Sequence, residues 1–483
     1  MSSQETLNLV FIALSVSGQL NVHLATIEHL LSLDINQSPP LNVHLLSFEP
    51  AAKHSTRLSS SAKPQHTFTF HSLGELKLFT EISHNGLIDR HPPAQLLKKD
   101  GLKSYRFLAE LFGFNPELYV EVYEHILGIL GTITPKVHIA VVDLTMPIGM
   151  DACMVAGVKW GILCPNSGME LAKHDQPFLK GFWKLPAAYS GIPYPAPLHL
   201  IPYNFALNVA FFRTLVTHPR IKALESRRSK AGIPGKLLDK PLKKLPFMIC
   251  ASVKEMEFPH VPGKNVVYPG PILIPVPVIS HAQYPDLTNF LDRKRTIVIN
   301  MGSNFWYTSA DVENIAEAIL RARKTCSDKV QFQVLWKLNG KKTYEELLQD
   351  RLGEAMDDVH MEEWIEPPAL AVLQHPNVVA LVNHGGANSV HEAAYAAVPQ
   401  IILPQWLDLY DYAVRVEWLG HGIYANKGFP AQIDATQLAD AFVKVLRDEG
   451  GVLKKKAIEI GEACRKGGGV RTVATTIIEA ATA

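Results

Sequence analysis

The residues with the clearest chemical potential follow an apolar run in the second half of the chain, in the sequence VNHGGANSVHE. The run predicts a buried strand that ends at Asn383 and His384, and the two glycines after it permit a sharp turn. Asn388 and Ser389, which are favourable near a helix N-terminus, then open a predicted helix. The unpaired N–H groups and partial positive charge of such a terminus suit a phosphate or diphosphate. Glu392 lies one turn beyond Ser389 and offers a carboxylate to ribose hydroxyls.

A ligand-free interpretation of the same residues stands beside this one. Glycines in the turn, such as Gly385 and Gly386 here, and a polar residue that caps the helix also occur in strand–turn–helix units that bind no ligand. The spacing by itself leaves the diphosphate site and the plain capped helix both open.

The elements that must position these residues alternate regularly along the chain. Unbroken apolar runs, such as LNLVFIALS near the start and TIVINMGS at 296–303, are separated by amphipathic stretches. This alternation is typical of parallel sheets covered by helices on both faces. It stops in a proline-rich segment and then restarts. The predicted fold class is therefore α/β, with two doubly wound Rossmann-like domains facing across a cleft at the carboxyl ends of their strands.

Composition excludes several classes of protein. Hydrophobic residues make up 47% of the chain and charged residues 19%, which excludes a disordered chain. The formal net charge of +1 indicates no strongly basic surface, so nucleic acid is not a predicted partner. The five cysteines form no CxxC pair, and we predict no metal site. No apolar run is long enough for a transmembrane helix, so we predict a cytoplasmic protein.

The segment described above resembles the donor-binding signature of the UDP-glycosyltransferases, a family with the GT-B fold. The HGGANS variant is most similar to fungal members. The resemblance is carried at consistent spacing by Gly302, Ser303, Trp364, the HPN of 375–377, His384, Gly385, Gly386, Asn388, Ser389, Glu392, Pro399, Pro404 and Asp408.

The resemblance implies a role for each residue of this donor set. Trp364 would stack on uracil, Glu392 would hold the ribose hydroxyls, and Asp408 would hold hydroxyls of the sugar. The diphosphate would be bound by the remaining members, which are Ser303, His384, Gly386, Asn388 and Ser389. Ordinary core packing is the alternative for Trp364, because its stretch is two residues longer than is usual in plant members. A UDP-sugar would be the co-substrate, and no other cofactor is expected.

The resemblance also implies a division of the chain. Residues 1–267 would form an acceptor-binding domain, 268–285 a Pro-rich linker, and 286–468 a nucleotide-sugar-binding domain. Residues 469–483 would form a helix that crosses back to the N-terminal domain.

The catalytic position departs from the family pattern. Inverting members place a histidine base in a Gly-His-x-x-Pro turn after the first strand, where this chain has Gly18-Gln19 and Val22. Glutamine cannot accept a proton near neutral pH. Asp143 matches the aspartate that normally orients that histidine. It would either act as the base itself or only cap the end of its strand, and the sequence leaves both open.

Two further departures lie in the donor half. Leu409 replaces the glutamine that normally contacts the sugar, and Tyr412 replaces an asparagine. Together with Gln19 they put ordinary glucosyl transfer in doubt.

The aromatic, proline-rich region 166–240 has two interpretations. It would form the wall of an apolar acceptor pocket, with Phe178 and Trp183, or an irregular insertion that packs its own small core. Its aromatic character also leaves peripheral membrane contact open.

Two functions follow from these observations. The first is inverting transfer of a hexose from a UDP-sugar to an apolar phenolic, polyketide or terpenoid-like secondary metabolite. The alternative is a glycosyltransferase fold that no longer transfers sugar, with Leu409 lining a pocket for another small-molecule reaction, such as a cyclisation, or for binding.

Overall fold

The computed structural model describes residues 5–77, 89–326 and 330–483. Within these ranges the chain folds around two fully parallel sheets, one in each half. Each sheet has its first strand in the middle and a crossover to the fourth, which is the doubly wound order. The predicted α/β class with two Rossmann-like domains is confirmed.

The N-terminal sheet has the order β3-β2-β1-β4-β5-β6-β7. Its strands are β1 (Leu7–Ile12), β2 (Leu41–Ser47), β3 (Thr67–Ser72), β4 (Ile139–Asp143), β5 (Trp160–Cys164), β6 (Met248–Cys250) and β7 (Val266–Val267). The helices of this half are α1 (Ser17–Leu31), α2 (Ser55–Ser61), α3 (Lys103–Phe112), α4 (Pro116–Thr132), α5 (Pro147–Ala156), α6 (Gly168–Ala172), α7 (Lys180–Trp183), α8 (Ile201–Thr217) and α9 (Pro219–Lys230).

The C-terminal sheet has the order β10-β9-β8-β11-β12-β13. Its strands are β8 (Arg295–Ile299), β9 (Phe332–Lys337), β10 (Val359–Glu362), β11 (Val378–Asn383), β12 (Gln400–Ile402) and β13 (Gly422–Tyr424). The helices are α10 (Pro285–Arg293), α11 (Ser309–Cys326), α12 (Lys341–Leu352), α13 (Ala369–Leu373), α14 (Ala387–Tyr395), α15 (Leu409–Leu419), α16 (Ala435–Arg447), α17 (Val452–Lys466) and α18 (Val470–Thr482).

The unbroken apolar strands are explained by burial on both faces. In β1, Leu9 and Phe11 pack into one core while Val10 and Ile12 pack into another on the opposite face. Successive side chains of a strand point to opposite faces, so a strand covered on both sides must be apolar throughout.

The last helix packs on the N-terminal half. Val473, Ala474 and Ile477 of α18 share a hydrophobic core with Phe11 of β1. The domain limits drawn from the sequence stay predictions. No helix among the described residues is both long and apolar enough to span a bilayer.

Candidate functional site

Two neighbouring strands of the C-terminal sheet end in the same type of turn. Asn383 Oδ1 accepts the N–H of Gly385 at 2.7 Å after β11, and Asn300 Oδ1 accepts the N–H of Gly302 at 3.1 Å after β8. Both glycines have a left-handed backbone, with φ of 94° and 87°, which side chains rarely adopt. β8 and β11 pair side by side, so both turns lie at one edge of the sheet.

Helix α14 begins without a side-chain cap. Gly386 occupies the N-cap position and no side chain caps it, so Asn388 and Ser389 lie inside the first turn. The ligand-free interpretation had a polar side chain as the cap of this helix, and neither of these two residues occupies the N-cap position. The first N–H groups of a helix lack a helical acceptor. Here they remain available to an anion.

His384 lies between the two glycine turns. A Cβ on Gly302 would stand 2.7 Å from His384 Cε1, and a Cβ on Gly386 would stand 2.6 Å from Nε2, so only glycine fits on either side. Burial, and then the charge of Lys337, lowers the pKa of His384 to about 4. The imidazole is therefore neutral at physiological pH and can donate one hydrogen bond.

Lys337 was missed by the sequence analysis. It ends β9, and its Nζ donates to the carbonyl of Gly302 at 3.1 Å. The same ammonium group lies 4.2 Å from the centre of the Trp364 ring. Trp364 is 65% exposed, which rules out core packing as its role. Ser303 is also exposed, beside Gly302. The signal available in the sequence was a lysine directly after VLW, at the end of a strand that contains several large apolar residues.

Glu392 and Asp408 are half-buried carboxyl groups in the same half of the chain. Burial raises the pKa of Glu392 to about 7 and that of Asp408 to about 6. Asp408 Oδ2 accepts from Asn166 Nδ2 of the N-terminal half at 3.4 Å. Asp408 therefore lies where the two halves meet.

Leu409 and Tyr412, the two other departures from the family pattern, are both buried. Leu409 is 3% exposed and belongs to the core of the C-terminal sheet. Tyr412 is buried with its ring 4.7 Å from the Arg415 guanidinium. The expectation that Leu409 would line an apolar ligand cavity is wrong, because the first turn of α15 directs this side chain into the domain core.

Gln19 and Asp143 lie at neighbouring strand ends of the N-terminal sheet. Gln19 is in the first turn of α1, and Asp143 is the last residue of β4, which pairs with β1. Asp143 Oδ1 accepts from the N–H and hydroxyl of Thr145, as a strand-end cap would. Its Oδ2, and Oε1 of Gln19, are buried without a donor among the described residues. Burial raises the pKa of Asp143 to about 6.

The turn that contains Gln19 and the first turn of α14 face each other. Asn388 Nδ2, in the first turn of α14, donates to the carbonyl of Ser17, the first residue of α1, at 3.3 Å. The N-termini of the two helices therefore meet across the cleft. This contact places the turn that contains Gln19 opposite the turn that contains His384.

A cavity opens along the same interface. It holds about 690 Å³ of space between atoms, part of it open to solvent. Most of its wall comes from the N-terminal half, and α15 supplies the rest. The lining residues are Met169, Glu170, Lys173, Pro186, Ala188, Tyr189, Asn208, Phe211, Phe258, Asp411 and Val414.

Carboxyl groups from both halves meet in this cavity. Asp411 accepts the N–H of Tyr189 at 3.0 Å, and Glu170 lies 3.8 Å from Arg415. Burial raises the pKa of both carboxyls, and Asp411 raises that of Glu170 further. Arg415 also donates to Glu257 at 3.0 Å. The sequence analysis missed Glu170 and Asp411, because nothing local shows that residues so far apart in the chain share a cavity.

The predicted pocket residues Phe178 and Trp183 do not line the cavity. Phe178 is 86% exposed, and Trp183 donates its indole N–H to the Phe178 carbonyl at 2.9 Å. Aromatic enrichment singled out a region from which Tyr189 and Phe211 do reach the cavity. It carried no information about which ring points inward.

Comparisons with known proteins identify the family of the chain. The family model described as UDP-glucoronosyl and UDP-glucosyl transferase matches residues 242–461. The glycosyltransferase sdnJ of the fungus Sordaria araneosa is 31% identical over 96% of this chain and 95% of its own length. A 2-hydroxyacylsphingosine 1-beta-galactosyltransferase of Rattus norvegicus is 30% identical over 42% of this chain and 33% of its own.

Solved structures show the fold. A Medicago truncatula protein complexed with UDP-glucose has a TM-score of 0.65 at 18% identity, over 99% of both chains. A UDP-glucosyltransferase from Polygonum tinctorium, capable of glucosylating indoxyl, has a TM-score of 0.64 at 17% identity, over 100% of both. The resemblance to fungal-type members and the GT-B fold are both confirmed, and the chain belongs to the UDP-glycosyltransferase family as a transferase of the UDP-sugar type.

Proposed function

We propose that this enzyme transfers a hexose from a UDP-sugar, with inversion, to a hydroxyl of an apolar phenolic, polyketide or terpenoid-like metabolite. The observation that carries the proposal is the Asn388–Ser17 contact. It joins the donor side of the cleft to the turn of Gln19, so a sugar on the diphosphate would lie between them.

The donor would be held by groups of complementary chemistry. The diphosphate accepts hydrogen bonds from the first turn of α14, from neutral His384 and from Ser303. Uracil stacks on the exposed face of Trp364, and Glu392 accepts from the ribose hydroxyls. Asp408 accepts from hydroxyls of the hexose.

The acceptor would occupy the cavity at the interface, with its reactive hydroxyl directed toward Asp143. Oδ2 of Asp143 takes the proton, directly or through one water, as the acceptor oxygen bonds to the anomeric carbon and UDP leaves from the opposite side. An unpaired buried acceptor atom gains a partner when a hydroxyl arrives.

A carboxylate base suits an acidic acceptor. Phenols have a pKa of about 10, well below that of alkanols. Asp143, with a pKa of about 6, is a weaker base than the histidine of other members would be when paired. The missing histidine therefore favours a phenolic or similarly acidic hydroxyl.

Gln19→His should extend the acceptor range. The imidazole would stand in the turn opposite the donor, beside Asp143, and restore a base with a pKa near neutrality. We expect kcat/KM with UDP-glucose to rise for alkanol acceptors by about 10²-fold, with a smaller change for nitrophenols. The assay is release of UDP across a panel of phenols and alkanols.

The matched control for this variant is Gln19→Asn, which keeps an amide in the turn. A Gln19→His variant no faster than Gln19→Asn on any alkanol would contradict the missing-base argument. Sugar transfer by neither protein, despite UDP binding, would favour the alternative of a repurposed cleft.

Glu392→Gln should weaken nucleoside binding and remove its pH dependence. The folded-state pKa of about 7 means that Glu392 gains its charge as pH rises from 6 to 8. Only the charged form accepts strongly from a ribose diol, so we expect uridine and UDP to bind the parent about 10-fold more tightly at pH 8 than at pH 6. The variant should bind uridine weakly and equally at both. Calorimetric titration measures this directly.

Uridine separates this effect from titration of the UDP phosphate itself. Glu354→Gln, at an exposed helical position, is the matched control and should behave as the parent. A Glu392→Gln variant that retains the pH dependence for uridine would assign the ribose contact elsewhere.

A further inference from the structure

The surface around α7 and α8 is strongly apolar yet exposed. Phe178 is 86% exposed, Leu198 85% and Val216 61%. We call this surface the apolar face, and its members are Phe178, Leu179, Leu198, Phe205, Val209 and Val216. Soluble monomers rarely expose so many large apolar side chains together, and such patches mark interaction sites.

Helix α8 is apolar on two sides. Leu207, Asn208 and Phe211 point inward, and the last two line the interface cavity. Phe205, Val209, Phe212 and Val216 recur at helical spacing on the other side. Ring contacts of Phe182 with Phe205 at 5.7 Å and Phe212 at 6.2 Å join this stripe to the segment before it.

The segment before α7 holds its apolar side chains outward in a strained backbone. Phe178 and Leu179 are consecutive and both left-handed, with φ of 56° and 54°. Bulky residues rarely adopt this conformation, and strained backbone positions are concentrated at active sites, ligand-binding sites and switch regions. Burial in the protein core does not explain them, because both are exposed.

The charge of this region is one-sided. From Gln176 to Thr217, the end of α8, the sequence contains no Asp or Glu, while it contains Lys180, Lys184 and Arg213. Asp175, which precedes this stretch, is paired with Lys243. The whole chain has a net charge of only +1, so positive charge is concentrated here. An apolar stripe flanked by Lys and Arg is the pattern of a helix that lies in a membrane interface.

We propose that the apolar face docks onto a bilayer that contains anionic lipids. Phe178, Leu179 and the outer stripe of α8 enter the interface, and the two lysines and the arginine contact lipid phosphates. The inner side of α8 lines the cavity, so docking brings the cavity close to the membrane. An apolar acceptor dissolved in lipid then reaches the cavity without crossing water. This docking does not depend on which sugar or acceptor the enzyme uses.

A second copy of the chain fits this face less well. Symmetric dimers bring the same patch of both subunits together. Here that would place two acid-free, basic segments against each other, and like charges repel. An anionic surface complements the same charges.

Vesicle co-sedimentation of the full chain tests the proposal. We expect binding to vesicles of phosphatidylcholine with phosphatidylserine, and much less to phosphatidylcholine alone. Phe178→Asn with Leu179→Asn and Val209→Gln should weaken binding at least about 10-fold. Asparagine tolerates the left-handed backbone, so the segment keeps its conformation. Lys180→Gln, Lys184→Gln and Arg213→Gln together should weaken it about 100-fold, at about 5-fold a charge.

Matched controls carry equal changes elsewhere. Val261→Asn and Val452→Asn with Val278→Gln alter three similarly exposed apolar residues, and Lys342→Gln, Lys455→Gln and Lys466→Gln remove three exposed charges. Both should bind as the parent does, and UDP affinity reports that every variant is folded. The proposal is overturned if the parent does not bind anionic vesicles. It is also overturned if the variant with Phe178→Asn, Leu179→Asn and Val209→Gln binds them as tightly as the parent does. If the parent does not bind vesicles but forms a dimer by light scattering, and only the variant altered at the apolar face loses that dimer, the face would be assigned to a second copy of the chain.

Discussion

Asp143→Asn should lower kcat for sugar transfer to a phenol by about 10²–10⁴-fold while leaving UDP affinity unchanged. Asparagine is isosteric, and its carbonyl oxygen can still accept from Thr145 as Oδ1 of Asp143 does. Only the unpaired Oδ2 is replaced, by an amide group that cannot take a proton. The loss would therefore measure proton transfer and not binding of the donor.

The pH profile gives the same test a second readout. Burial raises the Asp143 pKa to about 6, so parent activity should rise with pH through 6 and then level. The ordinary value of an Asp is about 3.9, so the folded state binds this proton more tightly than the unfolded chain does. Stability is therefore lost, not gained, as pH rises from about 4 to 6. The uncharged variant should be at least as stable as the parent at pH 8.

A control and a graded acceptor series complete this experiment. Asp239→Asn, at an exposed position of the same half, should leave kcat for sugar transfer unchanged. More acidic phenols need less help from a base, so the loss should shrink along a nitrophenol series. If Asp143→Asn retained kcat within a few-fold on the least acidic phenol, Asp143 would be only the cap of its strand.

Asp151→Asn should remove about 3–5 kcal/mol from the free energy of unfolding. Asp151 and Arg228 are both 0% exposed, and Arg228 Nη2 and Nε donate to the carboxylate at 2.8 and 3.0 Å. Lys240 and the Tyr119 hydroxyl donate to it as well. The amide would remove the countercharge that Arg228 and Lys240 share, and only Glu225, 2.6 Å from Arg228 Nη1, would remain beside these two cations. Urea denaturation followed by tryptophan fluorescence measures the change.

An exposed ion pair provides the control for this prediction. Asp175→Asn breaks the pair with Lys243, whose side chains are 53% and 77% exposed, and should cost at most about 1 kcal/mol. Adding Lys240→Met to Asp151→Asn removes one of the stranded cations and should recover part of the loss. Equal stability of Asp151→Asn and the parent would show that the buried cluster does not hold α5 to α9.

Much of the candidate site around His384 followed from local sequence. A strand, a glycine turn and a helix start are built from hydrogen bonds between near neighbours, as the Asn383–Gly385 bond shows. Spacing along the chain therefore located His384, Asn388 and Glu392 together. One interpretation of the sequence was a helix capped by a polar side chain. In the structure Gly386, which has no side chain, occupies the N-cap position of α14.

The residues that line the interface cavity did not follow from local sequence. Phe178 and Phe211 are both aromatic and lie in the same region, yet one faces solvent and the other the cavity. Leu409 enters the core because of the direction of the first turn of α15. These outcomes depend on the rotation of each helix against its neighbours, which aromatic content does not encode.

By itself the sequence determined the α/β class, the doubly wound order in each half, and the residues of the turn from Asn383 to Ser389, because strand periodicity and glycine turns are local. Only the tertiary structure decided that Ser17 meets Asn388 and that Glu170 meets Asp411 in one cavity. Each of these pairs joins the two halves of the chain. Such contacts arise from the packing of two domains, which no pattern along one segment contains.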